Sequence, residues 1–501
     1  MHNNNAHPLD LQLIARRAML EHGFEPDFPV EVRTQVAELQ ASPSLAVPKD
    51  GVRDLRSLPW TSIDNDTSRD LDQIEVAERL PDGLTRVLVG IADVSGFVPR
   101  DSAIDMHAAR ETTTVYTGAG NFHMLPEELS NGLTSLLEVN DKLCMVIEFT
   151  VNGAGEIVSG NLYRAVVRNH AQLIYNAVGA WLEGKAPAPA KLADSAELRS
   201  QLELQHEAAQ TLKTARFRHG ALNIENAEVH PVILNNLEIE LLKQEKNCAT
   251  ELIEDFMIAA NETVARALEK SGFSSIRRVV KTPKRWERIV ELARQSGERL
   301  PEQPDSKALN HFLTTRKAAD PEHFADLSLA VVKLMGAGEY VLQRPGDPEQ
   351  GHFGLAVQNY THSTAPNRRF ADLLTQRLLK AMLLGHPSPY SDNELAEIAG
   401  ACTLKENAAR KVERLVSKVI AALAMSRRIG DVFDAIVTGV TPHGVFVRVL
   451  KPHVEGLLAH DYQGVDVGDK LRVKLVSTDI ERGYIDFARV NNKIDNADSK
   501  K

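Results

Sequence analysis

Four aspartates, Asp64, Asp66, Asp70 and Asp72, fall within nine residues, directly after the apolar-leaning stretch that begins at Leu58 and runs through Trp60 and Ile63. Carboxylates this close repel one another, and a chain gains from the arrangement chiefly when a hard divalent cation sits among the oxygens. Magnesium keeps several waters and shares its remaining positions between one or two carboxylates and a substrate phosphate, so such a site points to phosphoryl chemistry. Two other readings use the same residues. One is a solvated acidic loop. The other is a calcium loop, because Asp64, Asp66, Ser68 and Glu75 occupy positions 1, 3, 5 and 12 of an EF-hand pattern. Against calcium, Arg69 stands where glycine is needed for the sharp turn, the pattern occurs once, and its flanks do not read as two long helices.

The rest of the chain bounds what such a site can belong to. At 501 residues, 43% apolar and 25% charged, it can bury large cores and should form two to four domains. The first seven residues are polar and no eighteen uncharged apolar residues run together, so the expectation is a cytoplasmic protein with no membrane partner. Cys144, Cys248 and Cys402 lie far apart, which argues against a disulfide framework or a CxxC site. A formal charge of −10 excludes nucleic-acid binding over the whole surface. Residues 361–430 nevertheless carry eleven Lys or Arg against six Asp or Glu. A confined basic channel or a solvated helical face would each account for that excess.

Periodicity then supplies the elements. Residues 8–40 carry helical spacing broken at 23–29, a small module that a DNA-reading helix-turn-helix or a simple packed hairpin would equally explain, and 41–50 reads as a linker. From 58 to about 167 the period is mostly two, with runs at 86–98, 143–151 and 160–167. From 171 onward helical patterns take over, at 251–268, 282–295, 324–336, 368–384 and 393–425, giving an α+β fold. After 430, five short strands with glycine turns suit an OB-fold barrel.

The segment Ser62-Ile-Asp64 with Asp70-Leu-Asp72-Gln73 resembles the signature of the ribonuclease II and ribonuclease R family. Ile91-Ala-Asp93-Val-Ser95, Met124-Leu-Pro-Glu-Glu-Leu-Ser130, Gly220-Ala-Leu222, Met257-Ile-Ala-Ala-Asn261 and Tyr360-Thr-His-Ser-Thr-Ala-Pro366-Asn-Arg368-Arg369-Phe continue it in the same order. Periodicity and composition give a helical module at 1–45 and a disordered tail at 492–501, and with the resemblance they imply an RNB-type catalytic domain at 50–390, a helical extension at 391–430 and an OB-fold RNA-binding domain at 431–491 between them. The resemblance implies a hydrolytic, processive 3′-to-5′ exoribonuclease that acts on single-stranded RNA and releases nucleoside 5′-monophosphates. Asp64, Asp70 and Asp72 become magnesium-site carboxylates with Gln73 as a further ligand, for one or two ions, with Mn²⁺ able to substitute. Arg368 would meet the scissile phosphate and Arg369 the RNA beside it, at the start of a helix. Tyr116 resembles the aromatic that stacks on the terminal base, and Glu254 and Tyr175 the residues that contact the sugar.

The chain departs from the family pattern at several points. Many members carry Asp where Gln73 stands, and an amide oxygen brings no charge to a cation. The aromatic partner of Tyr116 aligns near Ile224, and a glutamate expected before the barrel aligns near Lys411, with Glu413 close by. In place of amino-terminal cold-shock barrels stand about fifty mostly helical residues, so RNA entry is expected to be guided differently. A catalytically weak RNA-binding protein of the same fold is the rival expectation, and contact of the first module with DNA or protein is left open.

Overall fold

The structure is a computed structural model that describes residues 10–41, 51–224, 229–233, 239–243, 246–442, 444–452 and 454–490. The expected linker at 41–50, apart from its first residue, and the expected tail lie outside these residues. Helices α1 (Leu11–Glu21) and α2 (Val30–Ala41) come first. They are followed by β1 (Val52–Asp54), β2 (Thr61–Asp64), β3 (Gln73–Arg79), β4 (Thr85–Ala92), α3 (Ala103–Glu111), β5 (Val115–Thr117), β6 (Gly120–Phe122), β7 (Asp141–Val151), β8 (Ile157–Arg168) and β9 (Ala171–Ile174). A helical half continues with α4 (Tyr175–Leu182), α5 (Ala190–Ala193), α6 (Ala196–His219), the hairpin β10 (Val229–Ile233) and β11 (Ile239–Lys243), and α7 (Cys248–Lys270). Then come β12 (Ser275–Val279), α8 (Trp286–Gln295), α9 (Ser306–Ala319), α10 (Pro321–Met335), β13 (Glu339–Gln343), α11 (Phe370–Leu383) and α12 (Asp392–Ser426). The last strands are β14 (Val432–Thr441), β15 (Gly444–Val449), β16 (Val454–His460), β17 (Lys470–Asp479) and β18 (Tyr484–Arg489).

Seven strands form one sheet in the order β1-β8-β7-β4-β3-β2-β9, antiparallel except where β1 joins β8 and β2 joins β9. Its centre is buried on both faces, which is why β4 and β7 read as nearly unbroken apolar runs. Phe149 of β7 meets Phe256 of α7 edge-on at 6.2 Å between ring centres. Gly90 is needed at the middle of β4, because a Cβ there would stand 3.1 Å from Ile74 and 3.3 Å from the Cys144 sulfur. Strand β2 is short and touches β3 through a single pair, Thr61 opposite Glu75. The edge of β3 that this leaves open is closed by α6, where Gln201 exchanges bonds of 2.8 and 2.6 Å with the Ala77 backbone.

The strand-rich reading of 58–167 needs correction. It contains α3, capped by the Ser102 hydroxyl, and a π-helical turn Glu128–Leu133. Ile104, His107, Ala108 and Glu111 are buried at helical spacing on α3, but the two polar side chains among them disguise the stripe in sequence.

The expected OB-type barrel is closed, in the order β14-β15-β16-β18-β17. Its core includes Ala422 and Met425 from α12, and Gly483 sits so close to α12 that a Cβ would meet Lys418 at 2.7 Å. The amino-terminal helices do not stand apart as a free reader of DNA. Ala15, Ala18 and Met19 of α1 pack on Val412, Val416 and Ile420 of α12, and Val32 and Val36 of α2 join the main core. Among the described residues no helix is long and apolar enough to cross a membrane, and Cys144, Cys248 and Cys402 are all unpaired.

Candidate active site

The aspartate segment is the link between β2 and β3, so it is flanked by strands and the helix–loop–helix of a calcium module is excluded. The link is pinned at its base. The Ser135 hydroxyl accepts from the Leu71 backbone N–H at 3.0 Å and donates to the Arg69 carbonyl at 2.7 Å, while the Leu136 N–H donates to the Leu71 carbonyl at 3.0 Å. The Ile91-Ala-Asp93 motif lies alongside, with the Ala92 N–H donating to the Asp72 carbonyl at 3.0 Å. Asp93 itself forms ion pairs with Lys380 and Arg164, which makes it a tie between sheet and α11.

Asp64 ends β2. Its Oδ1 accepts from the Asn65 N–H at 2.7 Å and the Ser68 hydroxyl at 2.6 Å. Burial pushes its pKa up against those two bonds, and Asp70 pushes the same way. Asp72 is only 4% exposed. Its Oδ1 accepts from the Asn367 side-chain amide at 2.8 Å and from the Asn367 backbone N–H at 3.3 Å. Its Oδ2 lies 3.9 Å from the Arg368 Nε. Burial raises the Asp72 pKa from 3.8 to about 7, with Arg368 opposing the shift and Asp70 adding to it.

Arg368 and Arg369 precede α11, and the structure gives them different tasks. The Arg368 carbonyl accepts from the Thr114 N–H at 3.0 Å and the Thr113 hydroxyl at 3.3 Å, so the backbone is held while the side chain stays 44% exposed. Arg369 makes two bonds of 2.7 Å to the fully buried Asp372, whose Oδ1 also accepts from the Ala365 N–H at 2.8 Å. That guanidinium is committed to the first turn of α11. Both arginines line a cavity of about 240 Å³ with Tyr116, Tyr340, His362 and Arg410. Tyr116 is 41% exposed as a whole, yet burial of its hydroxyl raises the pKa, with Arg368 opposing the rise and Asp70 and Asp72 adding to it. Its backbone N–H donates to Glu413 at 3.2 Å, which gives that glutamate a defined place beside the cavity.

Tyr175 opens α4 and feels the charges of Asp64, Glu75 and Arg368. Glu254 is not brought to this group: its recorded partner is Lys246 at 2.7 Å. Neighbouring Asp255 is buried and pairs with Arg216. Ile224 packs into the cluster of α8, α9 and α10 and not against Tyr116. Asn367 carries no sign of a role in the sequence, and the fold makes it a clamp between the Thr134 hydroxyl at 2.7 Å and Asp72. Glu75, whose place in the sequence suggests only a calcium position, is fully buried with both carboxyl oxygens unpartnered.

The RNB domain family matches residues 52–385, and the RNase II-type exonuclease C-terminal S1 domain family matches residues 431–490. The chain belongs to the RNB-domain family. Ribonuclease R of Vibrio parahaemolyticus is 30% identical over 510 residues, 94% of this chain and 60% of that protein. Ribonuclease R of Escherichia coli is 31% identical over 514 residues, 95% of this chain and 62% of that protein. The RNB-domain chain thus spans about three fifths of the length of these curated relatives. Mycoplasma genitalium RNase R in complex with double-stranded RNA superposes with a TM-score of 0.85 at 25% identity, covering 96% of this chain and 83% of that one. The mixed sheet-and-helix fold with a carboxy-terminal barrel is the fold of those enzymes.

A cation fits this RNB-domain site on donor chemistry. Asp64, Asp70 and Asp72 offer hard carboxylate oxygens and Gln73 an amide oxygen, and among the described residues the group that meets the Asp72 Oδ2 is Arg368, at 3.9 Å. Among the described residues no three His, Cys, Asp or Glu side chains close a cage around a point. A magnesium ion that keeps several waters needs no such cage.

Proposed function

We propose that this chain is a hydrolytic, processive exoribonuclease that shortens single-stranded RNA from its 3′ end and releases nucleoside 5′-monophosphates. One observation carries the reading: a buried Asp72, fixed by Asn367, lies 3.9 Å from a half-exposed Arg368 at the edge of a cavity bearing Tyr116, within an RNB domain. Asp64, Asp70 and Asp72, with Gln73, would hold magnesium or manganese. Bound there, the ion would polarise the phosphate and lower the pKa of an attacking water.

The chain's own groups do the remainder. Arg368, half exposed and tied only by a long 3.9 Å ion pair to Asp72, offers its guanidinium to the oxygens of the scissile phosphate. Asn367 holds Asp72 in one rotamer. The Tyr116 ring offers a face for the last base, a contact that tolerates any sequence. Tyr175, beside Asp64, is placed to meet a sugar hydroxyl, the group that distinguishes RNA from DNA. The division into a helical module at 1–45, a catalytic domain at 50–390, an extension at 391–430 and an RNA-gripping barrel at 431–491 belongs to the same proposal. So does a cytoplasmic location, which three unpaired cysteines suit.

The test uses 5′-labelled single-stranded RNA and the Asp72→Asn variant. Wild-type protein should produce a descending ladder while the variant binds the RNA and leaves it whole. Binding without shortening by the wild type would replace this reading with that of an RNA-binding protein, in which Gln73 marks a weakened site.

A further inference from the structure

Behind Asp64 lies a set of buried oxygens with nothing to bond. Glu75, Thr61 and Gln205 are each 0% exposed, and both Glu75 carboxyl oxygens, the Thr61 hydroxyl and the Gln205 amide oxygen lack a hydrogen-bond partner. The three are neighbours by construction. Thr61 and Glu75 are directly opposed across β2 and β3, so their side chains leave the same face of the sheet. Gln205 reaches the same point from α6, its amide nitrogen donating to the Glu75 carbonyl at 3.3 Å.

Buried polar groups are kept unpaired only at a heavy cost, and a carboxyl is the costliest of them. Four such oxygens, on two facing strands and the helix bonded to them, call for water or a cation to bond. Burial raises the Glu75 pKa well above its usual value and the Asp64 charge adds to the rise, so the two carboxyls stand close enough to act on each other. Gln73 and Glu75 alternate along β3 and so point to one face, about 7 Å apart. A magnesium ion keeps waters of its own, and a carboxylate bonded to one of them acts on the ion without touching it.

We infer that Glu75 is a further carboxylate of the cation site led by Asp64, reaching it through water held by the Thr61 hydroxyl and the Gln205 amide oxygen. With the cation bound, Glu75 would bring behind the site the negative charge that Gln73 lacks. This rests on the proposed cation at Asp64, Asp70 and Asp72. Glu75 is a positioning residue, since it acts through water and through Asp64.

The probe is Mn²⁺ alone, titrated into the metal-stripped full chain without RNA and followed by the electron paramagnetic resonance signal of the free ion. Glu75→Gln should weaken Mn²⁺ binding about tenfold or more, and Glu75→Leu should do the same while filling the space. Adding Gln73→Asp to Glu75→Gln should restore the affinity, which a misfolded variant would not show. If both Glu75 variants bind Mn²⁺ as tightly as wild type while Asp72→Asn does not, Glu75 is a carboxyl kept neutral in the core and the inference is overturned, with the cation site left standing. Failure of Gln73→Asp to restore binding overturns it as well. If the wild-type chain takes up no Mn²⁺, the cation reading fails and this inference goes with it.

Discussion

Asp72→Asn should make the cation-free protein more stable, by an amount that depends on pH. The Asp72 carboxyl is 4% exposed, and burial lifts its pKa from 3.8 to about 7. An acid whose folded pKa lies above its unfolded value holds more protons folded than unfolded between the two. Stability therefore falls as pH climbs from about 4 to about 7 and is lowest, as far as this group is concerned, above that range. The shift corresponds to a destabilisation of about 4 kcal/mol at pH 8, shrinking to roughly 1.5 kcal/mol at pH 5. Asparagine removes the ionisation and keeps an oxygen for the Asn367 amide, now 2.8 Å away. In EDTA, thermal melting should place the variant several degrees above wild type at pH 8, with the gap narrowing toward pH 5. Saturating Mg²⁺ should close the gap at pH 8 by raising only the wild type, because a ligand stabilises the state that binds it. A variant that melts at or below wild type at pH 8, or a gap that does not narrow at pH 5, would refute the reasoning.

The two arginines before α11 should separate chemistry from stability. Arg368→Ala should lose about a hundredfold or more in turnover with only a small fall in melting temperature, since its one tie to the fold is a long 3.9 Å ion pair to Asp72. Arg369→Ala strands the fully buried Asp372, and urea unfolding should show a loss of about 3–5 kcal/mol. Tyr116→Ala should weaken single-stranded RNA binding by about 1–3 kcal/mol in fluorescence anisotropy while Tyr116→Phe does not, because the contact belongs to the ring.

Much of the fold was legible because its strongest signals are local. The barrel strands follow their glycine turns to within a residue or two, and α7, α11 and α12 follow apolar residues at helical spacing. Helix α3 was hidden because His107 and Glu111 interrupt its stripe, and they are buried only because α2 and the loop at Glu25 cover them. The aspartates were visible as a cluster, since electrostatic repulsion over nine residues is itself a local signal. Asn367 was not, because its role depends on a contact 295 positions away in sequence. Arg368 and Arg369 look alike in the chain, and only the buried Asp372 one turn later divides them. Glu254 carries no local signal that separates it from Asp255, and the fold pairs each with a different cation.

The most direct measurement of the central claim is the fate of RNA labelled at its 3′-terminal nucleotide, incubated with the full chain in Mg²⁺, in EDTA, and in Mg²⁺ with added phosphate. The account predicts early release of the label as nucleoside 5′-monophosphate in Mg²⁺, no release in EDTA, and no nucleoside diphosphate when phosphate is present. Release that persists in EDTA, label that first appears within longer fragments, or nucleoside diphosphate as the product would contradict it.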